Sequence, residues 1–325
     1  MQINFENLKT ALYGAATLGE DGGYLRPRRF TGKQLEYFAQ EGSSTKKQGN
    51  SISGAGMHLD FYTDTQFVCM ETYCVRATTV GYCYFDIYVD CEYYTSVETM
   101  PGDEGEVKVF AELPAGKKRV TIFFPAFYEI NIKSFEVSDG ATFEKTEKSC
   151  RILFLGDSIT QGYTALHPSR SYANIVTRGL NAHCINQGIG GNVFNHNDID
   201  PDLDFSPDTI FVAYGINDWI KNCDIKTEAH KYLDKLTNIY PDTKIYAILP
   251  IWLGGIQDAE EKTTISFEKM HETIAEVYAE FKNITVINGL ELVPHDLGCF
   301  RPDKVHPQEE GFKHYGENLL KIIKG

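Results

Sequence analysis

Residues 151–162 read RILFLGDSITQG, a short apolar run that ends in a Gly-Asp-Ser turn. The run RILFL has the length and composition of one buried β-strand, and the residues after it are of the kind that begin a helix. A serine there lies near a helix N-terminus, where backbone N–H groups lack partners within the helix. Ser158 is therefore placed to act as a nucleophile whose own N–H helps to bind an oxyanion. Taken alone, the stretch fits equally well a turn in which Asp157 caps a helix.

Strand-like and helix-like segments alternate from this stretch to the C-terminus. The apolar runs TIFVAYG (209–215), KIYAILP (244–250) and ITVIN (284–288) are each followed by an amphipathic segment. Continuous apolar strands alternating with amphipathic helices predict a parallel sheet with helices on both faces, which is a three-layer α/β domain. Such sheets bind ligands beyond the C-terminal ends of their strands.

The N-terminal half has a different periodicity. From Gly54 to Val137 the chain consists of short runs rich in β-branched and aromatic residues, separated by turn sequences such as PGDEG. Strands at this spacing predict an all-β antiparallel sandwich, with a jelly-roll-like arrangement. The polar stretch 138–150 is interpreted as the linker. We therefore expect a multidomain protein, with a β-sandwich at 1–145 and an α/β domain at 146–325.

Composition and charge limit the classes of partner. The 325 residues carry a formal net charge of −14, so most of the surface would repel nucleic acid or an anionic membrane. The N-terminus has no export signal, and no run approaches the roughly 20 apolar residues that cross a bilayer. The eight cysteines form no CxxC pair and no zinc-type spacing. We expect a cytoplasmic protein with reduced thiols, unless an export signal has been removed.

Three further motifs follow predicted strands. They are NQGIGGN at 186–192, GIND at 215–218 and DKVH at 303–306. In the first motif, the glycines let a backbone N–H approach a substrate. In the second, the Asn amide can donate to an oxyanion. In the third, an Asp three residues before a His can accept the Nδ1–H of its ring. Each motif alone has an ordinary structural explanation: a glycine turn, an Asx-turn or helix cap, and a surface histidine before a helix.

In this order, the four motifs resemble the signature blocks of the SGNH (GDSL-like) hydrolase superfamily. The resemblance covers the chain from about residue 151 to its end. It implies that Ser158 is the nucleophile, that His306 is the general base and that Asp303 orients His306. It also implies an oxyanion hole made of the N–H groups of Ser158 and Gly191 and the side chain of Asn217. No cofactor or metal is expected, because the histidines form no HxH or HExxH-like set.

A β-sandwich before such a domain is similar to carbohydrate esterase family 2 and related two-domain bacterial acetyl esterases. That family often uses a Ser–His pair, whereas Asp303 supplies a full triad here. We therefore expect a serine esterase that removes O-acetyl groups from a small-molecule or oligosaccharide substrate. Trp219 and Trp252 follow strand ends and are candidates for stacking on a sugar, although each could equally be packed in the core. A lipid- or thioester-specific hydrolase and a non-catalytic carbohydrate-binding protein remain the alternatives, and homo-oligomerisation stays open.

Overall fold

The computed structural model describes residues 1–40 and 45–325. Its strands are β1 (Leu12–Tyr13), β2 (Thr17–Asp21), β3 (Tyr24–Arg28), β4 (His58–Thr63), β5 (Phe67–Arg76), β6 (Cys83–Val89), β7 (Glu92–Thr99), β8 (Glu104–Glu112), β9 (Lys118–Phe123), β10 (Tyr128–Val137), β11 (Glu144–Lys145), β12 (Cys150–Gly156), β13 (Ala182–Gly188), β14 (Thr209–Ala213), β15 (Lys244–Ile248) and β16 (Ile284–Ile287). Its α-helices are α1 (Phe5–Thr10), α2 (Gly32–Ala39), α3 (Thr45–Ser51), α4 (Ser158–Gln161), α5 (Tyr172–Gly179), α6 (Ile216–Ile220), α7 (Ile225–Ile239), α8 (Ile256–Glu260), α9 (Phe267–Ala279) and α10 (Glu309–Lys324).

The N-terminal half folds into two antiparallel sheets. One has the strand order β1-β4-β9-β6-β7, with β11 also paired to β4, and the other has the order β2-β3-β10-β5-β8. Their inner faces share one hydrophobic core, in which the ring of Phe61 on β4 meets that of Phe135 on β10 at 5.6 Å. The alternating burial of β8 is typical of a strand with one face in such a core. The prediction of antiparallel strands in this half is confirmed.

The expectation that this half is all-β is wrong, because α1, α2 and α3 lie among its first 51 residues. These helices are short, and α1 and α2 begin at the capping residues Asn4 and Thr31. Thr31 and Gln34 form a capping box at the start of α2, in which each side chain accepts a hydrogen bond from the other residue's backbone N–H. Across the described residues, no helix is long and apolar enough to cross a membrane.

The C-terminal half contains the predicted parallel sheet, with the strand order β13-β12-β14-β15-β16. The apolar residues of its interior strand β12 are buried on both faces, as expected for a strand between two helical layers. Helix α5 packs against α10, and α7 packs against α9. Because all strands run in one direction, the loops after β12, β13 and β14 meet at one edge of the sheet.

Buried polar contacts join the two halves. Asp60 on β4 accepts hydrogen bonds from Arg119 at 2.9 and 2.5 Å and from Lys148, while Arg119 also donates to Asn181 of the C-terminal half at 2.8 Å. Burial alone would raise the pKa of Asp60, but the Arg119 hydrogen bond and the Lys148 charge lower it to about 2. The carboxylate is therefore ionised and paired on both sides of the contact between the domains.

Candidate active site

Ser158, His306 and Asp303 form a chain of hydrogen bonds at the carboxyl end of the parallel sheet. The Ser158 hydroxyl lies 2.8 Å from Nε2 of His306, and Nδ1 of His306 lies 2.9 Å from Oδ2 of Asp303. Ser158 opens α4 directly after β12, and Asp157 caps this helix by accepting the N–H of Ile159 at 2.9 Å. The structure thus brings together the three side chains that the sequence suggested for a triad.

The loop that carries Asp303 and His306 is tightly organised. Oδ1 of Asp303 accepts the backbone N–H groups of Val305 at 2.9 Å and His306 at 3.0 Å. Burial would raise the pKa of Asp303, but these backbone bonds and the His306 ring outweigh it and lower that pKa. Asp303 therefore stays ionised near neutral pH and can hold the imidazole in one orientation.

The glycine loop after β13 lies beside Ser158. The N–H of Gly190 donates to Oε1 of Gln161 at 2.8 Å, so it is already engaged. Gly191 has a φ of +74°, which favours glycine, and lies at the surface of a cavity. Among the described residues no group accepts the N–H of Gly191. This loop therefore offers the Gly191 N–H, rather than that of Gly190, to a ligand at Ser158.

Asn217 lies on α6, one turn beyond β14. Gly215 has a φ of +125°, and a Cβ added there would lie 2.5 Å from Ile274, so the turn into α6 requires glycine. The Asn217 amide donates to Oδ2 of Asp157 at 3.3 Å, which leaves its second N–H for a ligand. Burial, together with the nearby charge of Asp218, raises the pKa of Asp157 to about 7.

Within the described part of the chain, two cavities adjoin Ser158. The larger has a volume of about 520 Å³ and lies between the domains. Its lining residues include Gly49, Asn50, Arg76, Ala77, Thr78 and Thr79 from the N-terminal domain and Ser158, Tyr163, Gly190, Gly191, Asn217 and His306 from the catalytic domain. The smaller, of about 200 Å³, is lined mostly by apolar groups, and its residues include Ile159, Ile216, Ile220 and Val305.

The contribution of the N-terminal domain to the larger cavity could not be predicted from the sequence. Residues 76–79 (RATT) have neither a motif nor a periodicity that would connect them with a site 80 residues away in the chain. Tyr163 was also not foreseen, although its ring centroid lies 4.8 Å from that of His306. Tyr163 is the fifth residue after Ser158, and this closeness in the chain is the one sequence feature that could have indicated its place beside the site.

The two tryptophans do not occupy the positions expected of them. Trp219 is only 1% exposed, packs its ring against Phe267 and donates its indole N–H to the carbonyl of Ile265 at 2.7 Å. It is a core residue with no free face for a sugar, contrary to the expectation. Trp252 is half-buried and stacks on His295 with a centroid distance of 5.2 Å, and neither cavity beside Ser158 includes it.

A three-layer α/β domain with Ser, His and Asp hydrogen-bonded in series at its strand ends has the arrangement of serine hydrolases. Residues 154–314 match the GDSL-like Lipase/Acylhydrolase family. Residues 154–314 therefore form a GDSL-like lipase/acylhydrolase domain. A search of curated protein sequences found no match.

Several solved structures share the fold of both domains at low sequence identity. The salicylyl-acyltransferase SsfX3 from a tetracycline biosynthetic pathway has a TM-score of 0.82 and 20% identity, over 97% of this chain and 94% of that one. A GDSL-like lipase from Bacteroides ovatus has a TM-score of 0.77 and 20% identity, over 100% and 98%. The acetyl xylan esterase Est2A from Butyrivibrio proteoclasticus has a TM-score of 0.69 and 14% identity, over 100% and 97%. Family two carbohydrate esterases are also among the similar structures, as the sequence resemblance predicted.

Proposed function

We propose that this GDSL-like hydrolase is a serine esterase that removes short O-acyl groups, acetyl in particular, from carbohydrates. The observation that carries the proposal is the hydrogen-bond chain from Ser158 through His306 to Asp303 at the wall of an open cavity. A serine hydroxyl is a weak nucleophile unless an adjacent base accepts its proton. Nε2 of His306, at 2.8 Å, is placed to do so.

The reaction runs through an acyl-enzyme. Ser158 Oγ attacks the ester carbonyl carbon while His306 takes its proton, and the carbonyl oxygen becomes an oxyanion. The N–H groups of Ser158 and Gly191 and the Asn217 amide donate to this oxygen. Collapse breaks the ester C–O bond, and the leaving alcohol receives the proton from His306. A water molecule then attacks the acyl-enzyme with His306 again as base, which releases the acid and restores Ser158.

The larger cavity supports a carbohydrate as the alcohol part of the substrate. The side chains of Asn50, Arg76, Thr78 and Thr79 at its wall can form hydrogen bonds with sugar hydroxyls. Similarity of fold to an acetyl xylan esterase agrees with this reading. A jelly-roll-like topology for the N-terminal sandwich, as in sugar-binding domains, is part of the same proposal.

The nucleophile is tested with Ser158→Ala. Loss of a triad serine typically lowers the rate on the order of 10⁶-fold, with a small activity left from the oxyanion hole and from binding. We expect nitrophenyl acetate turnover to vanish while the melting temperature stays near that of the wild type. A variant that keeps a tenth of the wild-type rate would refute the mechanism. A wild type with no turnover of any activated ester would favour a non-catalytic carbohydrate-binding protein.

The smaller cavity favours a second candidate, a lipid- or thioester-specific hydrolase. Most of its exposed surface is apolar, although Asp157, Asn217 and Asp303 also line it, and an apolar cavity of about 150 Å³ can hold a benzene molecule. Each CH₂ buried in it would gain about 0.8 kcal/mol, or about fourfold in kcat/KM. We expect kcat/KM for matched nitrophenyl esters to be highest with acetate or propionate and to fall by octanoate. A steady rise through octanoate would identify the second candidate instead.

A further inference from the structure

Arg29, directly after β3, lies at the contact between the two domains and is completely buried. Its guanidinium donates to the carbonyl oxygens of Asn186 and, at 3.1 Å, of Gly188, at the end of β13 in the catalytic domain. The other donors go to Ser53 and Asn50 of its own domain, at 2.7 to 3.0 Å. The fork-shaped side chain therefore ties the backbone before the glycine loop to the N-terminal domain.

The partners of Arg29 are unusual for a buried cation. Within residues 1–40 and 45–325, each hydrogen-bond acceptor of Arg29 is an uncharged oxygen, its guanidinium also lies over the ring of Phe30 at 5.0 Å, and no ion pair of Arg29 occurs. Burying an unpaired charge is costly, even though burial lowers the pKa of Arg29 only to about 9 and leaves it cationic at neutral pH. An apolar side chain would avoid this cost but would leave the carbonyls of Asn186 and Gly188 without these donors, so what the arginine adds here is a fixed position for those carbonyls.

Helix α4, which begins with Ser158, makes a second contact with the glycine loop. Gln161, on the helix that begins with Ser158, accepts the N–H of Gly190 at 2.8 Å. The amide of Gln161 donates in turn to Oγ of Ser53 at 3.1 Å, and the same Oγ accepts from Arg29. The loop and the nucleophile helix are thus fixed to the same segment of the N-terminal domain.

We propose that Arg29 is a positioning residue for the oxyanion hole: it holds the carbonyls of Asn186 and Gly188 so that the N–H of Gly191 faces the oxygen that becomes charged. The proposal rests on the esterase function given above. Donors of this kind lower the barrier only if they are aligned before the reaction begins. Arg29 touches no substrate and acts only through the loop.

The test compares Arg29→Lys and Arg29→Met with the control Arg119→Met. Lysine keeps the charge and one nitrogen for the two carbonyls, which Nη1 of Arg29 binds alone, but it lacks the other nitrogens that hold Asn50 and Ser53, and methionine loses both the charge and the donors. Arg119 is a second buried arginine that joins the domains, but its partners are Asp60 and Asn181, away from the glycine loop. A misplaced donor can lower a rate by about 10²-fold. We expect kcat to fall about tenfold in Arg29→Lys and about 10²-fold in Arg29→Met, with KM nearly unchanged and kcat of Arg119→Met close to wild type.

The readouts separate positioning from stability. Each rate is divided by the fraction of protein that a fluorophosphonate labels at its serine, and is measured well below the melting temperature. Inhibition by a trifluoromethyl ketone, whose serine adduct is an oxyanion, should weaken in Arg29→Lys by the same factor as kcat/KM. If the Arg29 variants lower only the melting temperature, and kcat per labelled site stays within about twofold, the proposal is refuted.

Ser53→Ala provides a milder variant in case the Arg29 substitutions prevent folding. It removes one acceptor from Arg29 and one from Gln161 and leaves the guanidinium in place. We expect kcat per labelled site to fall several-fold without a change in KM, and an unchanged kcat would also refute the proposal. A wild type that neither reacts with the fluorophosphonate nor hydrolyses an activated ester would refute the esterase function itself, which is a different result.

Discussion

Replacing Asp303 by asparagine tests how far the third member of the triad contributes. The substitution keeps the shape of the side chain, and its oxygen can still accept the N–H groups of Val305 and His306. The asparagine NH₂ would then face Nδ1 of His306, where Oδ2 now lies at 2.9 Å. It can only donate there, which requires an imidazole that carries its proton on Nε2. That tautomer cannot accept the Ser158 proton.

The size of the effect follows from the exposure of Asp303. A triad with a buried aspartate loses about 10⁴-fold in kcat on this substitution. The side chain of Asp303 is 45% exposed, so water can replace part of the lost interaction with the imidazolium. A hydrogen bond to a charged group contributes about 1.5–3 kcal/mol. We therefore expect a loss of about 10- to 10²-fold in kcat.

The assay is nitrophenyl acetate hydrolysis with the rate expressed per titrated serine. Asp258→Asn is the matched control, because Asp258 is an exposed carboxylate that lies 3.4 Å from Lys304 in the same loop and has no contact with His306. Its kcat should equal that of the wild type. A loss below about threefold in Asp303→Asn would contradict the reasoning. The site would then work as a Ser–His pair.

Two further predictions concern the neighbours of Ser158. Asn217→Ala should lower kcat by about 10²- to 10³-fold with little change in KM, because it removes one oxyanion donor; a loss confined to KM would place Asn217 in substrate binding instead. Asp157→Asn should stabilise the protein more as pH rises. In the folded state the pKa of Asp157 is about 7, above the ordinary value of 3.8, so between pH 3.8 and pH 7 the native state holds a proton that the unfolded state has lost. The free energy of unfolding of the wild type therefore falls as pH rises through this range. The melting temperature of Asp157→Asn minus that of the wild type should therefore grow from pH 4 to pH 8, and a difference independent of pH would show that Asp157 titrates normally.

The triad could be found in the sequence because its geometry is mostly local. Asp303 and His306 lie in one short loop, where backbone hydrogen bonds to Asp303 bring the carboxylate to the ring. Ser158 follows a strand whose apolar run is unmistakable, and the parallel sheet then brings the two segments together. Spacing along the chain therefore carried enough information for these residues.

The role of the N-terminal domain could not be predicted in the same way. Arg29 binds the Gly188 carbonyl and Thr79 lines the larger cavity only because the two domains pack in one orientation, and no periodicity in either domain encodes that contact. For Trp219, by contrast, the sequence suggested a place at the site, and the structure puts the side chain in the core. It lies two residues past Asn217 in the sequence, but on a helix these positions do not face the same side. The indole consequently enters the core while the amide faces the cavity.

The contacts of the segment between the domains decide whether the domains can move apart to admit a substrate to the cavity. β11 is paired with β4, and only residues 146–149 separate it from β12. Of these, Thr146 accepts the Tyr13 hydroxyl, Lys148 pairs with Asp60, and the N–H of Ser149 donates to Asn181 at 2.9 Å. A hinge needs a few residues whose dihedral angles are free to change, and here each of these contacts would have to break. Because domain opening would break these contacts, we expect a substrate too wide for the cavity to be excluded rather than accommodated.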